Sequence, residues 1–177
     1  VHLPVRLLPY ALLRRLRLEG GAERLPSLAE ALDALPGGMV IALELKHASA
    51  AAPTLAEVRR RGLESRTLVW SSHAAAVRYV ARKAPEIEAS LLRDARSPAG
   101  IRRFLDDAAA GGARGVSVHW RVVSAELVAE AHERGLKVYS LAPDVESTVA
   151  GVACGLDGAV TDWPAEVRAA LAAGRRR

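Results

Sequence analysis

The sequence has few of the residues that build cross-linked, membrane-embedded or nucleic-acid-binding proteins. Its 177 residues include one cysteine, Cys154, which has no partner for an intramolecular disulfide and forms no Cys-x-x-Cys pair. No apolar run approaches the roughly 18 to 20 residues that span a bilayer, so an integral membrane segment is not expected. Aromatic residues make up 4% of the chain, too few to stack nucleic-acid bases between its arginines, and the net charge of +5 is mild. These features predict a globular protein that does not bind nucleic acid.

Signatures of secretion and of nucleotide binding are missing as well. Residues 1–18 mix apolar residues with arginine and contain no small-residue cleavage site, so they are not a secretory signal and a cytoplasmic location is the default prediction. Neither a Gly-x-Gly-x-x-Gly turn nor a Gly-x-x-x-x-Gly-Lys-Ser/Thr phosphate loop occurs. Nucleotide-binding α/β proteins are therefore disfavoured.

From residue 26 onward, short apolar runs alternate with segments of helical periodicity. Predicted strands cover 39–45, 67–70, 87–92, 115–119, 137–141 and 158–161. Predicted helices cover 27–35, 54–62, 74–83, 98–110, 124–134, 144–153 and 164–173. The strands begin about 20 to 28 residues apart, which is typical of right-handed β-crossover-β units in one parallel sheet.

The pattern predicts a single α/β domain over 1–177 with six sequential parallel βα units. These units fit an open doubly wound sheet or part of a (β/α)8 TIM barrel, and the missing nucleotide motifs favour the incomplete barrel. A complete barrel has eight strands and roughly 250 residues, so we expect a gap between the last strand and the first. The uncovered edges predict marginal stability or a homo-oligomer.

Acidic and basic side chains follow the first predicted strand. Glu44 and Lys46 are two residues apart, so both point to one face of the strand while Leu43 and Leu45 point to the other. In a barrel the leucines face the helices, and the two charges point into the mouth at the carboxyl ends of the strands. The pair is interpreted either as a structural ion pair or as a carboxylate metal ligand beside an ammonium that binds an anionic substrate.

A second group of polar residues surrounds the last predicted strand. Asp157 and a glycine form a turn before this strand, and Thr161 and Asp162 follow it. Asp162 is predicted to cap the next helix, which starts at Pro164. Trp163 is either a packing residue or an apolar wall for a substrate.

Four segments together resemble the glycerophosphodiester phosphodiesterases, metal-dependent (β/α)8 barrels related to the catalytic barrel of phosphatidylinositol phospholipase C. Segment 24–32 is similar to the family's Ile-Pro-Thr-Leu-x-Glu-x-Leu, and 44–46 to its Glu-x-Lys. Segment 128–138 resembles the family's Ala-His-x-x-Gly helix and following strand, and 155–164 its Gly-x-Asp-Gly-x-x-Thr-Asp-x-Pro. The resemblance covers the C-terminal three quarters of the barrel and implies that the first two βα units are absent from the 177 residues.

The resemblance implies a phosphoric diester hydrolase that converts glycerophosphodiesters to an alcohol and glycerol 3-phosphate, as part of lipid and phospholipid-headgroup metabolism. It implies a divalent cation, Mg²⁺ or Ca²⁺, with Glu44 as one carboxylate ligand. Lys46 is implied as the catalytic cation that binds the phosphate and stabilises charge in the transition state. Lys46 and Trp163 are the predicted contacts to the glycerophosphodiester.

The chain also departs from the family pattern. The family's His-Arg-Gly and Glu-x-Asp strands are absent, its Ser-Phe-Asp is Ser-Ser-His at 71–73, and its Trp-Thr-x-Asn is Leu-Ala-Pro-Asp at 141–144. One alternative is therefore a catalytically inactive remnant or fragment of such an enzyme. Another is an amidohydrolase-like metal site built from histidines that follow three strands, namely His47, His73 and His119.

Overall fold

The structure is a computed structural model that describes residues 5–17 and 21–174. It divides into two compact units, Val1–Met39 and Val40–Arg177. Residues 1–4, 18–20 and 175–177 lie outside the described residues, so the single domain over 1–177 stays a prediction.

The first unit contains two short helices, α1 (Tyr10–Leu13) and α2 (Leu28–Ala34). The predicted capping box at the start of α2 is present, because Ser27 Oγ accepts from the Glu30 N–H and the Glu30 carboxylate accepts from the Ser27 N–H. The same carboxylate accepts hydrogen bonds from the Tyr10 hydroxyl (3.3 Å) and the Arg14 guanidinium (2.9 Å). One carboxylate therefore caps α2 and joins it to α1.

The second unit is an α/β half-barrel whose described strands are all parallel and follow chain order across one sheet. The strands are β1 (Ile41–Glu44), β2 (Thr67–Ser71), β3 (Glu88–Leu92), β4 (Gly115–His119), β5 (Lys137–Leu141) and β6 (Gly158–Val160). The helices are α3 (Ala51–Arg60), α4 (Ala74–Lys83), α5 (Pro98–Ala110), α6 (Ala125–His132), α7 (Val145–Ala153) and α8 (Pro164–Gly174). Within the described residues β1 and β6 are the two edges and do not pair with each other. The predicted incomplete barrel with an open gap is confirmed, and the homo-oligomer stays a prediction.

Polar residues fix where three of the helices begin. Ser97 and Ser124 each accept a hydrogen bond through Oγ from the backbone N–H three residues later, both at 3.2 Å. Asp144 does the same through its carboxylate, at 2.7 Å from the Ser147 nitrogen. Each bond satisfies one of the N–H groups that a helix leaves without an internal acceptor, so these helices start close to the predicted positions.

The core lies between the convex face of the sheet and the helices. Alternate strand residues point to this face because side chains of a strand alternate in direction. The strands contribute Ile41, Val69, Leu91, Val116 and Val138, all buried, and the helices cover them with residues such as Val58, Val80, Phe104 and Leu105. The concave face is left for polar and aromatic side chains.

Two predicted boundaries are wrong. The third helix begins at Ala51 instead of residue 54, because the 3₁₀ turn Ala48–Ala50 leads directly into it. Thr54, the predicted first residue, is buried inside the helix, and Glu57 pairs with Arg60 (3.1 Å).

The first strand begins at Ile41 instead of residue 39. Its pairing starts at Ile41 opposite Thr67, which is the first residue of β2. The exposed Val40 precedes this ladder, so its apolar character did not indicate where pairing begins. The expected absence of a membrane-spanning segment is matched among the described helices, since no helix is both long and apolar enough to cross a bilayer.

Candidate active site

Glu44 and Lys46 occupy the carboxyl end of β1 on the concave side of the sheet. Leu45 is buried on the convex side, whereas the side chains of Glu44 and Lys46 are 38% and 79% exposed. Glu44 pairs with Trp70 of β2, and the Trp70 ring reaches across to Tyr139 of β5, with 5.2 Å between ring centroids. Directly paired residues of adjacent strands share a face, so the contact across the sheet places Glu44 on the concave side. This agrees with the orientation that strand alternation predicts.

The two charged side chains form an ion pair with each other. Lys46 Nζ donates to Glu44 Oε1 at 2.5 Å. The ammonium is largely solvated, so the pair itself contributes little stability, and its carboxylate and ammonium remain available to a ligand. The ion pair predicted by the structural interpretation is therefore present. It lies at the carboxyl end of β1, where a metal ligand and an anion-binding ammonium would also have to lie.

The end of β2 holds the backbone that carries this pair. The Leu45 N–H donates to the Trp70 carbonyl (2.7 Å), and Ser71 Oγ donates to the Leu45 carbonyl (2.7 Å). The His73 ring places Nε2 at 3.0 Å from the Lys46 carbonyl. Segment 44–46 is therefore bonded at consecutive carbonyls instead of ending as a free loop.

A cavity of about 490 Å³ opens at the carboxyl ends of β2 to β5. It begins one strand away from Lys46, at Ser72, and its apolar walls include Leu92, Trp120 and Leu141. The acidic group in its lining is already paired, because Arg96 donates two hydrogen bonds to Asp94 (3.0 and 2.9 Å) and holds the pKa of that carboxyl below its usual value. The cavity is thus a largely apolar space at the carboxyl ends of β2 to β5, and neither Glu44 nor Lys46 is among the residues that line it.

The three histidines of the amidohydrolase-like alternative do not converge on a metal site. The His47 and His73 rings are 5.7 Å apart, but His119 stacks on Trp120 and accepts from the Arg121 N–H through Nδ1 (3.2 Å). Among the described residues, no three His, Cys, Asp or Glu side chains are grouped so that they could hold a metal ion. The structure gives this alternative no support.

The same result bears on the divalent cation that the resemblance implies. Mg²⁺ and Ca²⁺ require several oxygen ligands, and Glu44 is the one carboxylate predicted to bind them. Its Oε1 accepts from Lys46, and no group of three metal-binding side chains exists in 5–17 and 21–174. The described residues therefore do not by themselves make a site that fits such an ion.

Residues at the end of β6 lie at the other edge of the sheet from Glu44 and Lys46. Thr161 and Asp162 follow β6, and the described contacts include no hydrogen bond or ion pair between them and the Glu44–Lys46 pair. The predicted Asp162 cap is wrong, because Trp163 is the residue that directly precedes α8. Its N–H donates to Thr161 Oγ1 (3.1 Å), and its ring, 38% exposed, remains open to solvent.

Two of the family-like segments meet at the opposite end of the sheet, around Asp157. One oxygen of Asp157, Oδ2, accepts from the Val138 N–H and from His132 Nε2, both at 2.8 Å. The Asp157 N–H donates to the Val138 carbonyl (3.0 Å), so the carboxylate stands in for a ladder carbonyl just before β6. Gly158 follows because a Cβ there would lie 2.8 Å from the Tyr139 ring. The Gly-x-Asp-Gly spacing thus serves the sheet, a role that the motif alone did not reveal.

The concave face also contains a buried polar cluster that no local sequence pattern predicts. Glu88, at the start of β3, is 7% exposed and accepts hydrogen bonds from Lys137 (2.7 Å) and the Tyr139 hydroxyl (2.5 Å). Burial and the hydrogen bond to Glu88 raise the pKa of Tyr139. An acidic residue in an otherwise apolar strand was the available sign, but its partners lie about fifty residues away.

Comparisons with solved structures identify proteins of the same architecture. One, a glycerophosphoryl diester phosphodiesterase of Silicibacter pomeroyi by its given name, is 30% identical with a TM-score of 0.73; the match covers 85% of this chain and 58% of that one. A glycerophosphodiester phosphodiesterase of Parabacteroides distasonis is 24% identical with a TM-score of 0.78, over 96% of this chain and 72% of that one. A phosphodiesterase of Oleispira antarctica, solved with the product sn-glycerol-3-phosphate, is 23% identical with a TM-score of 0.72, over 93% and 70%.

Neither the protein-family profiles nor the curated protein sequences gave a match. The chain spans less than two thirds of the Silicibacter pomeroyi protein. In fold, this parallel half-barrel with the Glu44–Lys46 pair at its mouth is therefore similar to part of a glycerophosphodiester phosphodiesterase.

Proposed function

We propose that the chain takes part in the metal-dependent hydrolysis of glycerophosphodiesters to an alcohol and glycerol 3-phosphate. The observation that supports this most is the position of Glu44 and Lys46, which project together from the carboxyl end of β1 on the concave face. Active sites of (β/α)8 enzymes lie at this end of the strands. The Oleispira antarctica neighbour, which has the same fold, was solved with a glycerol phosphate product.

Lys46 is proposed as the group that binds the phosphate. Its side chain is 79% exposed, so an anion can reach the ammonium from solvent. The backbone that carries this side chain is hydrogen-bonded to β2. In the transition state it would stabilise negative charge that builds up on the phosphoryl oxygens. Glu44 is the ion-pair partner of Lys46, because Lys46 Nζ donates a hydrogen bond to Glu44 Oε1.

Glu44 is also the proposed carboxylate ligand of Mg²⁺ or Ca²⁺. A cation held there would supply Lewis-acid chemistry toward a phosphoryl oxygen. The described residues offer it one carboxylate, and a hard cation held by one carboxylate and water is bound weakly. We therefore expect poor metal occupancy in the chain by itself.

Trp163 is proposed as an apolar wall for the substrate. The residue is 38% exposed and lies three positions after Val160, the carboxyl end of β6. The cavity at the carboxyl ends of β2 to β5 has apolar walls too, so the carbon portion of a diester would make contacts of the same kind at both places.

The second candidate is an inactive remnant or fragment of such an enzyme. The absence of a three-ligand metal group in the described residues favours it, as does the open gap between β1 and β6. This candidate predicts phosphate binding at Lys46 without turnover.

Two measurements on the 177-residue chain test the proposed site and the two candidates. We expect sn-glycerol 3-phosphate, titrated against the chain by phosphorus NMR, to bind weakly and to lose about tenfold in affinity in Lys46→Ala, since a charge-assisted hydrogen bond contributes about 1.5 to 3 kcal/mol. Lys83→Ala, which removes an exposed lysine at the end of α4, is the matched control and should bind normally.

The second measurement is hydrolysis of glycerophosphocholine with added Mg²⁺ or Ca²⁺. We expect little or none, because the family's His-Arg-Gly strand, to which the resemblance assigns the general acid/base histidine, is absent from the 177 residues, and losing a general acid alone removes a factor of about 10² to 10⁴. Turnover that Glu44→Ala and Lys46→Ala abolish would establish the enzyme and exclude the inactive remnant. Full activity that is insensitive to Glu44→Ala would contradict the proposed site.

A further inference from the structure

Side chains of β2 continue the bonding to β1 beyond the point where the regular ladder ends. The β1–β2 register ends at Glu44 opposite Trp70, and Leu45 makes the last backbone bond. Ser71 Oγ then donates to the Leu45 carbonyl at 2.7 Å, and His73 Nε2 lies 3.0 Å from the Lys46 carbonyl. A carbonyl oxygen only accepts, so Nε2 carries the hydrogen and donates it.

The Ser71 hydroxyl both donates and accepts a hydrogen bond at the end of β2. Ser71 has no exposed surface, and its single hydrogen is used in the bond to Leu45. Its oxygen also accepts from the His73 N–H (3.1 Å), which fixes the start of the loop that carries the imidazole. Ser71 and His73 thus bond to the carbonyls of the two peptide bonds that flank the Cα of Lys46, Leu45–Lys46 and Lys46–His47.

Lys46 depends on Ser71 and His73 for its position. Its side chain is largely solvated and has Glu44 as its polar side-chain partner, so packing does not direct it. The position of its ammonium therefore follows the backbone of segment 44–46. Displacements of about 1 Å at a reacting group can cost about 10²-fold in rate, so a fixed backbone matters more here than at a surface lysine.

We propose that Ser71 and His73 are positioning residues of the phosphate site: they hold the peptide that carries Lys46 and so set where its ammonium meets the phosphate. The inference rests on the proposed function. Neither side chain is assigned contact with substrate, since the Ser71 hydroxyl and His73 Nε2 both donate their hydrogens to backbone carbonyls.

The chain provides a matched control for Ser71. Ser140 on β5 is also buried, and its Oγ donates to the Val118 carbonyl of β4 at 3.0 Å. The two serines make the same strand-to-strand bond, but Ser140 lies three strands away from Ser71 and does not contact the peptide of Lys46. Any effect of losing such a bond on the sheet as a whole should be common to Ser71→Ala and Ser140→Ala.

The test compares backbone amide exchange at Leu45 and Lys46 with the affinity for sn-glycerol 3-phosphate, in the full chain. Losing one neutral hydrogen bond predicts about tenfold faster exchange at Leu45 in Ser71→Ala and several-fold weaker binding. Ser140→Ala should show neither effect beyond a shared loss of global stability. His73→Gln, which keeps a donor for the Lys46 carbonyl, should bind as the wild type does, whereas His73→Leu should bind several-fold more weakly.

Two outcomes would overturn the inference. One is unchanged exchange and affinity in both Ser71→Ala and His73→Leu, and the other is an equal effect of Ser140→Ala on segment 44–46. His73 is exposed, so its variants are expected to fold and to test the inference even if Ser71→Ala does not fold. A failure of the proposed function looks different: the wild type would not bind glycerol 3-phosphate, or Lys46→Ala would bind it normally, while the exchange data would still show whether β2 holds the peptide.

Discussion

Replacing Asp157 should destabilise the sheet where β6 begins. Its Oδ2 accepts from the Val138 N–H and from His132 Nε2, both at 2.8 Å, and its own N–H donates to the Val138 carbonyl. In Asp157→Ala the Val138 N–H, on a residue with no exposed surface, loses its acceptor. The change therefore affects the attachment of an edge strand rather than a surface charge alone.

The magnitude follows from the two bonds that are lost. An unsatisfied buried N–H costs about 1 to 3 kcal/mol, and the half-exposed hydrogen bond from His132 adds about 0 to 1 kcal/mol. We expect Asp157→Ala to lower the free energy of unfolding by about 2 to 3 kcal/mol, a large share of the roughly 5 to 15 kcal/mol of a typical domain. Asp157→Asn keeps an acceptor oxygen for Val138 and should lose about 1 kcal/mol.

The effect should also depend on pH. Burial favours a higher pKa for Asp157, but the hydrogen bonds from His132 and the Val138 N–H outweigh it and hold the pKa below its usual value. A depressed pKa in the folded state means that the stabilisation is present above the unfolded pKa of about 4 and is lost as the pH falls through the folded value. The difference in stability between the wild type and Asp157→Asn should therefore shrink below about pH 4.

Urea unfolding followed by circular dichroism at pH 7 and pH 3 measures both quantities. Asp106→Ala is the control, since Asp106 pairs with Arg134 at 2.8 Å on the surface and should contribute less than about 1 kcal/mol. An Asp157→Ala variant that is as stable as Asp106→Ala would refute the idea that the carboxylate replaces a ladder carbonyl.

Two further variants test the concave face of the half-barrel. Gly115→Ala places a methyl group against the Ser90 hydroxyl and 2.9 Å from Tyr139 Cε2, so we expect a loss of about 1 to 3 kcal/mol in urea unfolding, whereas Gly37→Ala, which meets nothing within 4 Å, should be nearly neutral. A neutral Gly115→Ala would show that this face is loosely packed. Because the pKa of Tyr139 is raised in the folded state, its stabilisation is present below the unfolded pKa of about 10 and is lost as the pH rises above it. Stability should fall more steeply between pH 9 and about pH 11 in the wild type than in Tyr139→Phe, and equal slopes would contradict the assignment.

The local sequence determined the order and the approximate bounds of the secondary structure. Helices α4 and α5 and the starts of β4, β5 and β6 lie where periodicity, capping residues and glycines place them. These features act over a few residues: a cap satisfies N–H groups in its own helix, and alternation along one strand sets the faces of Glu44 and Lys46. For the same reason, the orientation of this pair could be predicted before any strand partner was known.

Only the tertiary structure decided which distant residues meet. The Glu88–Tyr139 and His132–Asp157 bonds join residues 51 and 25 positions apart, and no local pattern encodes either pairing. The start of β1 was missed because pairing begins where β2 offers a partner, and the group that holds the Lys46 carbonyl was missed because it comes from the next strand. The reason is physical: a strand's faces follow from its own backbone, whereas its contacts follow from the register and curvature of the whole sheet.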